Sequence, residues 1–146
     1  MWHTEHADKD CPPDFLVIAC LRNPDGVGTR VSRPIMRELD KEDVCCLTTP
    51  TAFEFMSRAA SALPIGVWEQ GRLRYDPVYC RPRSALAARA LQQLADAVER
   101  SALIAPQAPG CALIIPNRHT VHAREGFHAR YDGTDRWLLR TMIRAD

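Results

Sequence analysis

The stretch 113–140, LIIPNRHTVHAREGFHARYDGTDRWLLR, constrains the fold more than any other part of the chain. It opens as an apolar run, breaks at Pro116-Asn117 and offers His122 on a second short run. Asp132-Gly133 marks another turn, and the stretch closes in an apolar run studded with arginines. Short runs of this kind, separated by turn residues, read as strands of a sheet rather than as helices. A histidine on one strand and Arg136 at the start of the next mark a candidate site for a metal and an acid.

The rest of the chain fits a strand-rich plan. The continuous apolar run 15–21 (FLVIACL), followed by Arg22-Asn23-Pro24-Asp25-Gly26, predicts a buried strand closed by a turn, with a shorter strand over 27–31. Ser32 as a cap, with Pro34 near the start, predicts a helix over 34–43. Residues 48–63 support two readings: Phe53 and Phe55 alternate like a strand, while Met56, Ala59, Ala60 and Leu63 keep helical spacing. Strands over 64–69 and 72–79 are expected to pair through Gln70-Gly71. The clearest helix is 84–103, with Ser84 as its N-cap and an apolar face of Leu86, Ala90, Leu91, Leu94 and Val98, opposite Arg89, Gln93, Asp96 and Arg100. A loop over 106–110 and strands over 111–115, 120–123 and 137–143 complete it. Strands and helices do not alternate. That argues against a doubly wound sheet and for a β-sandwich or jelly roll with helices outside.

The 146 residues are expected to form a single domain, 1–146, with a substantial core. A formal net charge of +1 sets up no strong field toward nucleic acid or an anionic membrane. No apolar run approaches the roughly 18 residues of a membrane span. The first ten residues, MWHTEHADKD, lack the apolar core of a signal peptide. The six cysteines form no CxxC pair, which predicts reduced thiols in a cytoplasmic protein.

The sequence HTE near the start adds chemistry to this frame. On an extended segment, His3 and Glu5 project to the same face, because side chains alternate with period two. A second histidine arriving on a distant strand would complete two imidazoles and one carboxylate on one side of a metal. That facial set leaves positions open for other ligands and is the signature of non-haem Fe(II) oxygenases. The bland readings stand beside it: His122 as a hydrogen-bonded strand histidine, His3 and Glu5 as solvated residues, and Arg136 paired with Asp132 or Asp135. His6, His119 and His128 carry no assigned role. Zn(II) held structurally by the same histidines is a further reading.

The segments WHTEHA, FLVIACLRNPDGVGT, RLRYDP and NRHTVHAREGFHARYDGTDRWLLR together resemble the clavaminate synthase-like, taurine dioxygenase-related branch of the Fe(II)/2-oxoglutarate-dependent dioxygenases. HxE alone is weak; the last segment is long and specific. The resemblance implies a double-stranded β-helix (jelly roll), incomplete at the N-terminus, because family members carry barrel strands before the HxE motif. It implies Fe(II) held by His3, Glu5 and His122, and 2-oxoglutarate gripped by Arg136 and Thr29. Arg140 and Asp76 fall at positions that contact the prime substrate. The implied reaction consumes O2 and 2-oxoglutarate, releases succinate and CO2, and hydroxylates or desaturates an amino acid or a small molecule derived from one. The sequence departs from the family pattern at Gly110-Cys111, Pro116-Asn117 and His122-Ala123-Arg124 without removing a ligand. The other implied possibility is a non-catalytic jelly-roll module, or a part completed by a second copy or a partner chain.

Overall fold

The structure, a computed structural model, describes residues 1–56 and 66–145. Two three-stranded antiparallel sheets face each other. β1 (Phe15–Arg22) is the centre of the first, between β10 (Trp137–Ile143) and β8 (Ala112–Pro116). β2 (Thr29–Ser32) is the centre of the second, between β7 (Ala102–Ala105) and β9 (Val121–Arg124). The chain changes sheet from β1 to β2 and again at each step from β7 through β10, which is the winding of a jelly roll. Two short pairs, β3 (Phe53–Phe55) with β6 (Cys80–Pro82) and β4 (Trp68–Glu69) with β5 (Arg72–Leu73), lie outside the sandwich sheets.

The second sheet separates two cores. On one side Val121 and Ala123 join Trp2, Leu47, Phe53, Phe55, Leu94 and Val98 in the large apolar cluster under the helices. On the other side Leu16, Ile18 and Ile115 form a small cluster packed by Val31, Leu113 and Leu138. The outward side of the first sheet remains exposed, with Leu21, Ile114, Leu139 and Ile143 in solvent contact.

α2 (Ala85–Arg100) begins at Ser84, whose hydroxyl accepts the Ala87 N–H as expected of an N-cap. The buried stripe is Ala87, Ala90, Leu94, Ala97 and Val98; Leu86, expected on that stripe, is exposed. The helix stops at Arg100 rather than at 103, because Leu103 and its neighbours extend to pair with β2 as β7. The helix expected over 34–43 is replaced by a single 3-10 turn at Met36–Glu38 and then α1 (Lys41–Thr48). The reason lies at Ser32: its hydroxyl donates to the Val98 carbonyl at 2.7 Å from the end of β2, so it caps no helix.

Gln70 and Gly71 both take positive φ, 49° and 75°, which suits a two-residue hairpin between β4 and β5. The hairpin is shorter than the 64–69/72–79 expectation. The Arg74 N–H still donates across the hairpin to the Val67 carbonyl, and beyond it the backbone finds other partners: the Tyr75 N–H donates to the Thr4 hydroxyl, and the Tyr75 carbonyl accepts the Thr4 N–H. Phe53–Phe55 is a strand; the helical reading of Ala59, Ala60 and Leu63, and the start of the 64–69 strand, lie outside the described residues. No helix among the described residues is long and apolar enough to cross a membrane. All six cysteines are free.

Candidate metal and acid site

Strand register brings the site together between the two sheets. On β9, His122 and Arg124 are two apart and share a face; they stand opposite Val31 and Thr29 of β2. From the facing sheet, Leu16 and Ile18 of β1 and Leu138 and Arg140 of β10 meet them, with Ile18 opposite Arg140. A pocket of about 230 Å³ is lined by these residues except Val31, together with His3, Glu5, Ala123 and Arg136.

One end of the pocket holds three converging donors. His3, Glu5 and His122 offer ligand atoms within 4.8 Å of one another. Glu5 Oε1 lies 3.2 Å from His122 Nε2 and 3.6 Å from His3 Nε2. Metal–donor bonds of about 2.0–2.2 Å put adjacent ligands of one ion roughly 3 Å apart, so the set fits a facially bound divalent metal. Burial pushes the Glu5 carboxyl up, but hydrogen bonds from His122 and His3 and the charge of Arg140 outweigh it. They hold the carboxyl well below the usual carboxylate range. The hydrogen bond to Glu5 raises His3, whereas burial lowers His122 in spite of the same carboxylate. Arg140 Nη1 donates to Glu5 Oε1 at 2.9 Å.

The ligand-bearing segment is tied down residue by residue. His3 and His122 exchange backbone hydrogen bonds of 3.0 and 2.9 Å as an isolated bridge, which carries the pairing of β9 onto the N-terminal segment. Asn117, 1% exposed, accepts the Glu5 N–H at 2.8 Å and donates back to the Glu5 carbonyl at 3.1 Å. The Trp2 indole N–H donates to Glu99 at 2.6 Å, and the Arg30 guanidinium lies over the Trp2 ring.

The other end of the pocket is cationic. Arg136 donates to the Thr29 hydroxyl and to the Gly28 carbonyl, each at 3.3 Å, and to the side-chain oxygen of Gln107. The alternative surface pairing of Arg136 with Asp132 or Asp135 does not occur. Asp132 accepts from Thr134, and Asp135 accepts the Arg130 and Tyr131 N–H groups. Among the described residues no carboxylate lies within ion-pair distance of Arg136, and its Nε is buried without a partner. Burial lowers its pKa, the mark of a cation short of compensation. An acid seated there would supply the missing anion.

Asp76 is not among the pocket's lining residues; its carboxylate accepts the Val78 N–H at 3.0 Å. Two site residues are new relative to the sequence reading. Asn117 stood in the sequence only as part of a turn, and Gln107 only as a loop residue between two prolines. Nothing in the local pattern announces contacts that span 112 and 78 residues.

The jelly roll thus sets two imidazoles and a carboxylate across one small pocket from an arginine that has no carboxylate partner among the described residues. No protein-family model matches the chain. Curated relatives do. L-asparagine oxygenase of Streptomyces coelicolor is 33% identical over 158 residues, covering 99% of this chain and 47% of the relative. Clavaminate synthase 2 of Streptomyces clavuligerus is 30% identical over 161 residues, covering 99% and 50%. Among solved structures, the non-heme iron oxygenase OrfP in complex with Fe and alpha-ketoglutaric acid superposes with a TM-score of 0.89 at 31% identity. It covers 100% of this chain and 49% of that one. In sequence and in fold the chain is similar to the clavaminate synthase-like oxygenases, and it spans about half the length of the curated relatives it matches.

Proposed function

We propose that this chain carries the metal and cosubstrate site of an Fe(II)/2-oxoglutarate-dependent oxygenase that acts on an amino acid or a small molecule derived from one. The observation that carries the reading is the pairing, across one pocket, of the His3–Glu5–His122 set with the uncompensated Arg136. The likeness to L-asparagine oxygenase and to the Fe and alpha-ketoglutaric acid complex supports it.

In this reading His3, Glu5 and His122 hold Fe(II). Iron bound there supplies the O2 and one-electron chemistry. The balance is 2-oxoglutarate, O2 and a C–H bond going to succinate, CO2 and a C–OH bond. Arg136 and Thr29 take the distal carboxylate of 2-oxoglutarate, which directs its 2-oxoacid end toward the metal set. Arg140, at the pocket wall beside Glu5, receives the carboxylate of the amino-acid substrate by leaving its contact with Glu5. Asp76 lies outside the pocket lining but near enough for its charge to act on His3, and in this reading it contacts the substrate. Leu16, Ile18 and Leu138 line the space between with apolar surface and limit water. The six free cysteines support a reducing compartment, the cytoplasm. The exposed outward side of the first sheet supports a second copy or another chain seated over it; a monomer in sedimentation velocity would count against the second copy.

The decisive experiment is anaerobic titration of the protein with Fe(II) and 2-oxoglutarate. A weak visible charge-transfer band is expected, abolished in His122→Ala, followed by succinate release when O2 and candidate L-amino acids are added. No band in a folded protein, or a band that survives His122→Ala, refutes the reading.

A further inference from the structure

We propose that Gln107 is the positioning and specificity residue of the acid end: its neutral amide gathers the Arg136 and Thr29 donors while leaving the Arg136 charge for a ligand to neutralise. The inference rests on the proposed 2-oxoglutarate site and goes on to assign what sets its preference for a distal carboxylate.

Gln107 lies in the loop between β7 and β8 and is 4% exposed. Its side-chain oxygen accepts the Thr29 hydroxyl at 2.8 Å and Arg136 Nη2. A guanidinium has donors only, so the atom facing Arg136 has to be the amide oxygen. The amide nitrogen therefore points away, buried and without a partner. An orphaned buried donor is costly. A glutamate of the same shape would exchange that orphaned donor for a carboxylate oxygen and give Arg136 an internal counter-ion, yet glutamine stands here. The amide keeps the geometry of an ion pair and omits its charge.

The main chain of Gln107 is braced as firmly. Its carbonyl accepts Asn23 Nδ2 at 2.7 Å and the Cys20 thiol at 3.7 Å. Asn23 also holds the Val27 N–H and carbonyl, which fixes the turn leading into Gly28 and Thr29. Thr29, Arg136 and the Gly28 carbonyl that Arg136 also uses are thus all referenced to one loop. The acid end is preorganised before an acid arrives, which lowers the ordering cost of binding.

The test uses the full chain with Fe(II) under anaerobic conditions. 2-Oxoglutarate and pyruvate are titrated into the wild type, Gln107→Glu and Gln107→Met. Pyruvate keeps the 2-oxoacid group but lacks the distal carboxylate. Affinity for 2-oxoglutarate is expected to fall in the order Gln, Met, Glu, with the Glu variant roughly 10- to 100-fold weaker. Pyruvate affinity is expected to stay unchanged in all three. A second readout needs no metal: succinate should raise the melting temperature of the metal-free wild type and not that of Gln107→Glu, whose own melting temperature stays at or above wild type. Gln107→Glu binding 2-oxoglutarate like the wild type, or losing pyruvate and 2-oxoglutarate alike, overturns the proposal. If Gln107→Glu does not fold, the Met variant decides alone: undiminished 2-oxoglutarate affinity overturns the proposal, and a selective loss supports it. A wild type that does not prefer 2-oxoglutarate to pyruvate refutes the acid-site reading itself and this inference with it.

Discussion

Replacing Asn117 with alanine should loosen the metal set without touching a ligand. Asn117 is 1% exposed and makes three buried hydrogen bonds: from the Glu5 N–H at 2.8 Å, to the Glu5 carbonyl at 3.1 Å and to the Pro13 carbonyl at 2.9 Å. Asn117→Ala orphans the Glu5 N–H and carbonyl outright. The Pro13 carbonyl keeps a 3.3 Å contact from Arg72. At about 1–3 kcal/mol for each group left unsatisfied, the total is about 3 kcal/mol. For a chain of this size that lowers the melting temperature by about 6–12 °C in calorimetry. Part of the loss is local, because the Glu5 main chain is then held only through its neighbours, the His3–His122 bridge and Thr4 with Tyr75, while its carboxylate keeps Arg140 and the two histidines. Apparent metal affinity scales with the fraction of molecules in which the segment is docked. A local cost of about 1.4 kcal/mol therefore weakens Co(II) or Fe(II) binding about tenfold in a titration. A melting shift under about 2 °C, or an unchanged metal affinity after the full thermal loss, would refute the claim that Asn117 anchors the ligand pair.

Three other outcomes are expected. Asp14 is buried, with its carboxyl lowered from 3.8 to about 2, first by Arg118, then by the Ala145 N–H and Arg72. The folded state thus favours the carboxylate. Its contribution of about 1–2 kcal/mol is complete above pH 4 and lost as pH falls toward 2, so Asp14→Asn should flatten the acid limb of a stability–pH curve. With a thiol reagent, Cys11, Cys45 and Cys111 should react at once, while Cys20, Cys46 and Cys80 wait for unfolding; burial pushes the Cys80 thiol up to about 12. Fast labelling of Cys80 in the native state would contradict its placement. Ser84→Ala should cost about 1 kcal/mol in denaturant unfolding, and an unaltered midpoint would show that the cap bond is not holding α2.

What the sequence disclosed and what it hid follow from the range of the interactions concerned. The run 15–21 and the stretch 113–140 announced their strands because a strand in the middle of a sheet buries both faces or alternates, and both patterns are local. Ser84 announced α2 because a cap bond spans three residues. Ser32 misled for the same reason: it has the chemistry of a cap, but its hydroxyl is engaged 66 residues away on Val98. β7 was hidden because Leu103 continues the apolar spacing of the helix before it, and only the pairing with Val31 makes it a strand. At the site, His3, Glu5, His122, Thr29 and Arg136 were legible through residue type and resemblance. Asn117 and Gln107 were not, since an uncharged amide in a loop has no sequence signal until the fold gives it partners.

The two ends of the pocket place a joint demand on a ligand. One end gathers a carboxylate and two imidazoles and is suited to a cation; the other holds an arginine with no anion beside it among the described residues. Both are braced by neutral amides, Asn117 behind Glu5 and Gln107 behind Arg136. A charged residue at either place would satisfy its end internally and close the site as a salt bridge. An amide fixes the geometry and leaves the charge unspent. A metal alone would answer one end and a simple carboxylate the other. A ligand that chelates the metal at one terminus and carries a carboxylate at the other answers both, so each half of the binding should strengthen the second. That coupling is reciprocal by linkage, and it connects residues 3–5 to Arg136, more than 130 positions on in the sequence.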